Sequence, residues 1–175
     1  MISSSTNYFE LFDFPVDFDI DGELLAQRYR KLQQVVHPDN YANASEKERR
    51  LALQKAAQIN EAFQVLKHPM SRGRYLLQLQ GVDTQEAQDM TMDGEFLIKQ
   101  MELRETLAGI KQQAQPIEAL NRFLTNLQQQ IAQLTVQLRQ NLRDKNWQAA
   151  RDNVRQFQFF HKLNEEALRL EEELC

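Results

Sequence analysis

The stretch Val36-His37-Pro38-Asp39-Asn40 decides how the chain is read. Pro38 fixes its own φ, lacks a backbone N–H, and drives His37 out of the helical region. A helix arriving from the N-terminal side is therefore expected to stop at about Val36. His37 is then left at an exposed corner with a ring nitrogen able to donate. The Asp39 carboxylate can brace the turn or meet a partner's cation.

Upstream, Leu25, Tyr29, Leu32 and Val36 fall at helical spacing and form one apolar stripe, with Asp19 or Asp21 as the N-cap. Arg28, Arg30 and Lys31 lie beside or opposite that stripe. At about 100° per residue, Arg30 and His37 project in nearly the same direction. Downstream, Ser45-Glu46-Lys47-Glu48 has the form of a capping box. Ala52, Ala56, Ile59, Phe63 and Leu66 follow at spacings that make a second stripe, which Pro69 ends. The intervening loop, about 39–44, is short enough to require an antiparallel hairpin. The cluster Tyr8–Phe12 predicts a single helical turn, and residues 70–80 a further short helix.

Residues 81–94 are polar, carry two glycines and lack apolar periodicity, which predicts a domain boundary. Three long helices are expected beyond it, at about 94–113, 116–143 and 146–173. The middle one carries Ile117, Leu120, Leu124, Leu127, Ile131, Leu134 and Leu138 as a heptad seam. In the last helix Trp147, Val154, Phe157, Phe160, Leu163 and Ala167 supply the facing stripe. Short connections imply antiparallel neighbours, hence a three-helix bundle. The expected fold is all-α, with residues 1–80 as one domain, 81–93 as a linker and 94–175 as the bundle.

Composition narrows the function. With 42% hydrophobic and 26% charged residues the chain reads as a soluble globular protein. Its formal net charge of -4 argues against nucleic-acid binding. No apolar run approaches the ~20 residues that span a bilayer, and Met1–Asn7 lacks the regions of a signal peptide, so a cytoplasmic location is expected. Cys175 is the single cysteine, which excludes an internal disulfide framework. Three scattered histidines and that thiol make no metal site, and no cofactor is expected. No nucleophile with a supporting motif and no Gly-rich phosphate loop occurs, so an enzyme is not expected. His68 and His161 read as structural or surface residues, and a monomer is expected.

The hairpin, its basic first helix, His37-Pro38-Asp39 at the bend and Ile59–Pro69 on the second helix together resemble the J-domain. The opening Tyr8-Phe9-Glu10-Leu11-Phe12 fits as well. With Arg72, Tyr75-Leu76-Leu77 and Phe96–Glu105, nearly the whole chain resembles the bacterial HscB family of iron–sulfur co-chaperones. The resemblance implies that His37, Pro38 and Asp39, with Arg28, Arg30 and Lys31, dock on a DnaK-type chaperone, HscA, and stimulate its ATPase. The scaffold IscU is the implied client. Two departures stand out: Asn40 occupies a position where J-domains usually carry Lys or Arg, and Gln33-Gln34 thin the basic track near the bend.

The helix at 94–113 carries more apolar residues than one buried face requires. Phe96, Leu103, Leu107 and Ile110 project within a narrow arc, whereas Leu97, Ile98 and Met101 project elsewhere, interleaved with Glu102 and Glu105. The alternatives are a wide core stripe and an exposed apolar patch with an acidic rim, for which Met is an adaptable contact. Phe159 lies off the stripe of the last helix and is expected on the outer surface beside that patch. The resemblance assigns IscU binding to Leu97, Ile98, Met101, Glu102, Glu105 and Phe159. A structural helical adaptor with no effect on an ATPase is the competing reading.

Overall fold

The computed structural model describes residues 7–84 and 94–174. Residues 85–93 of the expected linker and Cys175 lie outside them. The chain is all-α, with helices α1 (Tyr8–Leu11), α2 (Gly22–Val35), α3 (Glu46–Lys67), α4 (Pro69–Leu79), α5 (Gly94–Gly109), α6 (Pro116–Arg143) and α7 (Trp147–Leu174). Two 3₁₀ turns, Pro38–Tyr41 and Ile110–Gln112, follow α2 and α5. The chain divides into two compact units, residues 1–76 and 77–175, with the division falling inside α4.

Local chemistry sets the helix ends. Asp21 caps α2 by accepting from the N–H groups of Glu23 and Leu24 at 2.9 and 3.0 Å. Ser45 and Glu48 form a reciprocal box: the Glu48 N–H donates to Ser45 Oγ at 3.3 Å, and the Ser45 N–H donates to Glu48 Oε2 at 2.8 Å. The hydrogen bonds from Ser45 hold the Glu48 carboxyl below its ordinary pKa. Three helices finish on a left-handed residue with the paired bonds of a Schellman motif. Asp13, Gly81 and Lys145 hold φ of 56°, 75° and 57° after α1, α4 and α6. In each, the following N–H reaches back five residues: Phe14 to Phe9 O, Val82 to Leu77 O and Asn146 to Asn141 O, at 2.9, 2.9 and 2.8 Å.

In the first unit α2 and α3 pack antiparallel. Tyr29 stacks on Phe63 with ring centroids 4.1 Å apart, and its hydroxyl donates to Asn60 Oδ1 at 2.7 Å. Leu25, Val36, Ala52, Ile59, Ala62 and Leu66 are buried with Phe9 and Phe12 of the opening turn. Burying each of the larger side chains contributes roughly 1.5–3 kcal/mol. Tyr75 of α4 ties the ends together: it stacks on Tyr8 at 4.5 Å and accepts the Tyr8 N–H at 3.1 Å.

In the second unit α6 and α7 form an antiparallel pair, and α5 runs alongside α7. The pairings Phe96–Phe160 and Arg104–Glu166, followed by Lys111–Glu173 from the 3₁₀ turn after α5, advance along both segments in the same direction. The seam of α6 departs from the heptad reading at its start. Ile117 is exposed, Leu124 and Ile131 are half-buried, and Phe123 enters the core with Leu120, Leu127, Leu134 and Leu138. Ile117 sits in the first turn of α6, immediately after Pro116. Near the α6–α7 turn, Asn141 donates to buried Asn153 at 2.7 Å, which satisfies a polar pair in the core.

Candidate functional site

Pro38 does end α2, but the residues after His37 form a tight 3₁₀ turn rather than an open loop. His37 caps that turn with φ −58° and ψ 136°. Its Nδ1 accepts the Asp39 N–H at 3.3 Å and lies 3.4 Å from Asp39 Oδ2. With Nδ1 turned to Asp39, Nε2 is the ring nitrogen left open to a partner. The His37 and Asp39 side chains are 59% and 89% exposed, so an imidazole and a carboxylate stand together at the corner.

Asn40 turns back on the helix. Its Nδ2 donates to the carbonyls of Gln34 and Val35 at 2.7 and 3.3 Å, satisfying two of the open acceptors at the end of α2. The residue is thus a C-terminal cap for α2, and its amide serves the geometry of the bend.

The three basic residues separate. Arg30 and Lys31 are exposed. Arg28 lies closer to the core and is spent internally: NH1 donates to the carbonyls of Phe12, at 2.7 Å, and Asp13. Its guanidinium stands 4.7 Å over the Phe14 ring. It clamps the left-handed turn after α1. Its position one turn from Leu25 and Leu32 explains this, since a long side chain beside a core stripe reaches over the edge to the neighbouring loop.

On α5 the core arc is Phe96, Leu103, Leu107 and Ile110, of which Phe96 and Ile110 are buried and the others half-buried. Leu97, Ile98 and Met101 are 43%, 60% and 64% exposed, and Glu102 and Glu105 are exposed between them. The exposed-patch alternative describes this face.

Phe159 is not on the outer surface. It is buried, edge-on to Phe96 at 5.7 Å and to Phe160 at 5.4 Å. A helix in a three-helix bundle faces two neighbours, so α7 buries a wider arc than one stripe, and Phe159 fills the flank turned to α5. Arg104, which the sequence reading passed over, lies 5.6 Å over the Phe159 ring and 3.6 Å from Glu166. Lys99 lies 5.8 Å from the Phe160 ring centroid. Two cations on α5 thus hold it to the phenylalanines of α7, one on each side of the apolar patch.

Comparison with known proteins finds both parts. Residues 7–75 match the DnaJ domain, and residues 92–168 match the HSCB C-terminal oligomerisation domain. The co-chaperone protein HscB homolog of Aliivibrio fischeri (strain MJ11) is 45% identical over 168 residues, covering 96% of this chain and 98% of its own length. The chain belongs to the HscB co-chaperone family. The HscB homolog of Vibrio cholerae serotype O1 (strain M66-2) is 44% identical with the same coverage. The solved structure of chaperone HscB from Vibrio cholerae superposes with a TM-score of 0.89 over 97% of this chain and all of that one, at 44% identity. The crystal structure of human co-chaperone protein HscB gives 0.90 over 99% of this chain and 85% of that one, at 28% identity. HscB is a co-chaperone family and not an enzyme family, and its J-domain implies an Hsp70-type partner. Among the described residues no helix is long and apolar enough to cross a membrane.

Proposed function

We propose that this HscB-family chain couples a client to a chaperone ATPase through two separate surfaces. His37, Pro38 and Asp39, with Arg30 and Lys31, dock on the ATP state of a DnaK-type chaperone, HscA, and stimulate hydrolysis. Leu97, Ile98 and Met101, rimmed by Glu102 and Glu105, hold the iron–sulfur scaffold IscU in the cytoplasm. Arg28 and Phe159 act on these surfaces indirectly, by bracing the α1–α2 turn and the seat of α5. We read residues 1–80 as the docking module, 81–93 as the connection and 94–175 as the client module of a monomer.

The observation that carries the proposal is the exposure of three apolar side chains on α5, which its core arc does not use, in a chain whose other unit presents an outward His-Pro-Asp turn. The test is single-turnover ATP hydrolysis by purified HscA with and without IscU. His37→Gln is expected to abolish stimulation while IscU binding persists, and Asp39→Asn to behave likewise. Full stimulation by His37→Gln would leave a helical adaptor as the better description.

A further inference from the structure

Between the bend and the start of α3 lies a niche of about 100 Å³, lined by Val36, Pro38, Tyr41, Arg49, Ala52 and Leu53. Val36 and Ala52, both buried, form its inner lining. The small side chain at position 52 leaves room that a larger one would fill. Pro38 belongs to the His-Pro-Asp turn, so the niche opens beside His37 and Asp39. Leu53 forms one wall although it is 63% exposed. The stripe that packs α3 on α2 is Ala52, Ala56, Ile59, Phe63 and Leu66. Leu53 stands about 100° away from it on the helix and contributes nothing to that packing. An apolar wall that the core does not need calls for another explanation.

We propose that this niche receives one aliphatic side chain of the ATP-bound chaperone, and that a carboxylate beside that side chain in the partner meets Arg49. The inference rests on the J-domain docking reading and adds a specificity pocket to it. Three features favour a chaperone occupant. The niche shares Pro38 with the docking turn, so a partner seated on His37 and Asp39 stands at its edge. Its volume suits a single side chain, not a helix or a small-molecule ligand, whose sites are several times larger. Arg49 is exposed and forms no ion pair among the described residues, whereas its neighbour Arg50 reaches Glu46 at 3.9 Å. With Arg30 and Lys31 also exposed, the face selects an acidic partner and repels a second copy of itself.

The test compares Leu53→Asp and Arg49→Glu with the unchanged chain and with His37→Gln, in titrations of ATPase stimulation of the same chaperone. Melting temperature is measured on each protein. Leu53→Asp places a carboxylate on an exposed apolar wall. It is expected to raise the half-maximal co-chaperone concentration about tenfold or more, as loss of a desolvated anchor does, with melting unchanged. Arg49→Glu is expected to raise it by a smaller factor that shrinks at high salt. If both variants titrate like the unchanged chain while His37→Gln abolishes stimulation, the niche stays empty in the complex and the inference falls while docking stands. If His37→Gln stimulates fully, the docking reading falls and the niche proposal with it. Should Leu53→Asp melt early, Arg49→Glu, which lies on the rim, decides the matter alone.

Discussion

Arg104 of α5 lies over the ring of Phe159 of α7, 5.6 Å from guanidinium carbon to ring centroid, and reaches Glu166 on the same helix at 3.6 Å. The pair places the aromatic residue beneath α5 and not beside the apolar patch. Phe159 then determines how α5 presents Leu97, Ile98 and Met101 without itself being part of the exposed face.

The first prediction separates seat from surface. Phe159→Ala removes a buried ring from between Phe96 and Phe160 and should destabilise the second unit by about 3 kcal/mol. Leu97→Ala with Met101→Ala should change stability by no more than about 0.5 kcal/mol, since both side chains are exposed. The same double variant should weaken IscU binding by about tenfold or more. Urea unfolding and scaffold affinity measured on the same proteins check this. Unchanged stability in Phe159→Ala would contradict the burial.

How legible all this was depends on how many neighbours a residue has. The hairpin was readable because one stripe on α2 meets one stripe on α3, and Pro38 and Pro69 mark its limits. The extra apolar residues of α5 were readable for the same reason, because Phe96, Leu103, Leu107 and Ile110 already complete its core arc. Phe159 was misplaced because α7 packs against two helices, and periodicity along one helix does not reveal the direction of the second. Arg28 looked like its basic neighbours, since sequence carries no sign of the Phe12 and Asp13 carbonyls that it clamps. The niche at Ala52 was invisible too. An alanine in a stripe reads as close approach, and here it also leaves a gap beside the bend.

The basic residues of α2 should divide by function. Arg28→Ala removes two charge-assisted hydrogen bonds to the turn after α1 and should cost about 2 kcal/mol in the first unit. Its ion pair with highly exposed Asp13, at 3.7 Å, adds little. Arg30→Ala with Lys31→Ala should leave melting unchanged and slow association with the chaperone, and the deficit should vanish at high salt. Thermal unfolding together with stopped-flow association at two salt concentrations distinguishes the two classes.

Lys145 holds a left-handed φ of 57° at the turn between α6 and α7, the place that Gly81 occupies after α4. A side chain there strains the backbone by roughly 1–2 kcal/mol, part of which glycine's larger unfolded-state entropy offsets. Lys145→Gly should therefore stabilise the second unit by about 0.5–1 kcal/mol. Urea unfolding of the two proteins measures it. A lower midpoint for the glycine variant would mean that the lysine side chain supports the turn in some other way.

The capping box at the start of α3 makes a pH prediction. Hydrogen bonds from Ser45 lower the Glu48 pKa in the folded chain below its unfolded value. Over the interval between the two values the unfolded chain binds more protons, so stability rises with pH there. The contribution of Glu48 is fully present above the unfolded glutamate value and is lost as pH falls through the folded one. Glu48→Gln keeps the side chain's shape and removes the charge. At neutral pH the variant should unfold at lower urea than the unchanged chain, and the gap should close as pH is lowered past the folded pKa. Ser45→Ala should flatten the same pH dependence by removing the donor hydroxyl, even though its carboxylate is intact. A gap between the unchanged chain and Glu48→Gln that persisted at pH values where the Glu48 carboxyl is neutral would show that the glutamate acts by packing and not by charge. The N-terminus of α3 carries Arg49, Ala52 and Leu53 within two turns of this box. Fraying it in acid should therefore also weaken docking at the niche before the rest of the hairpin unfolds.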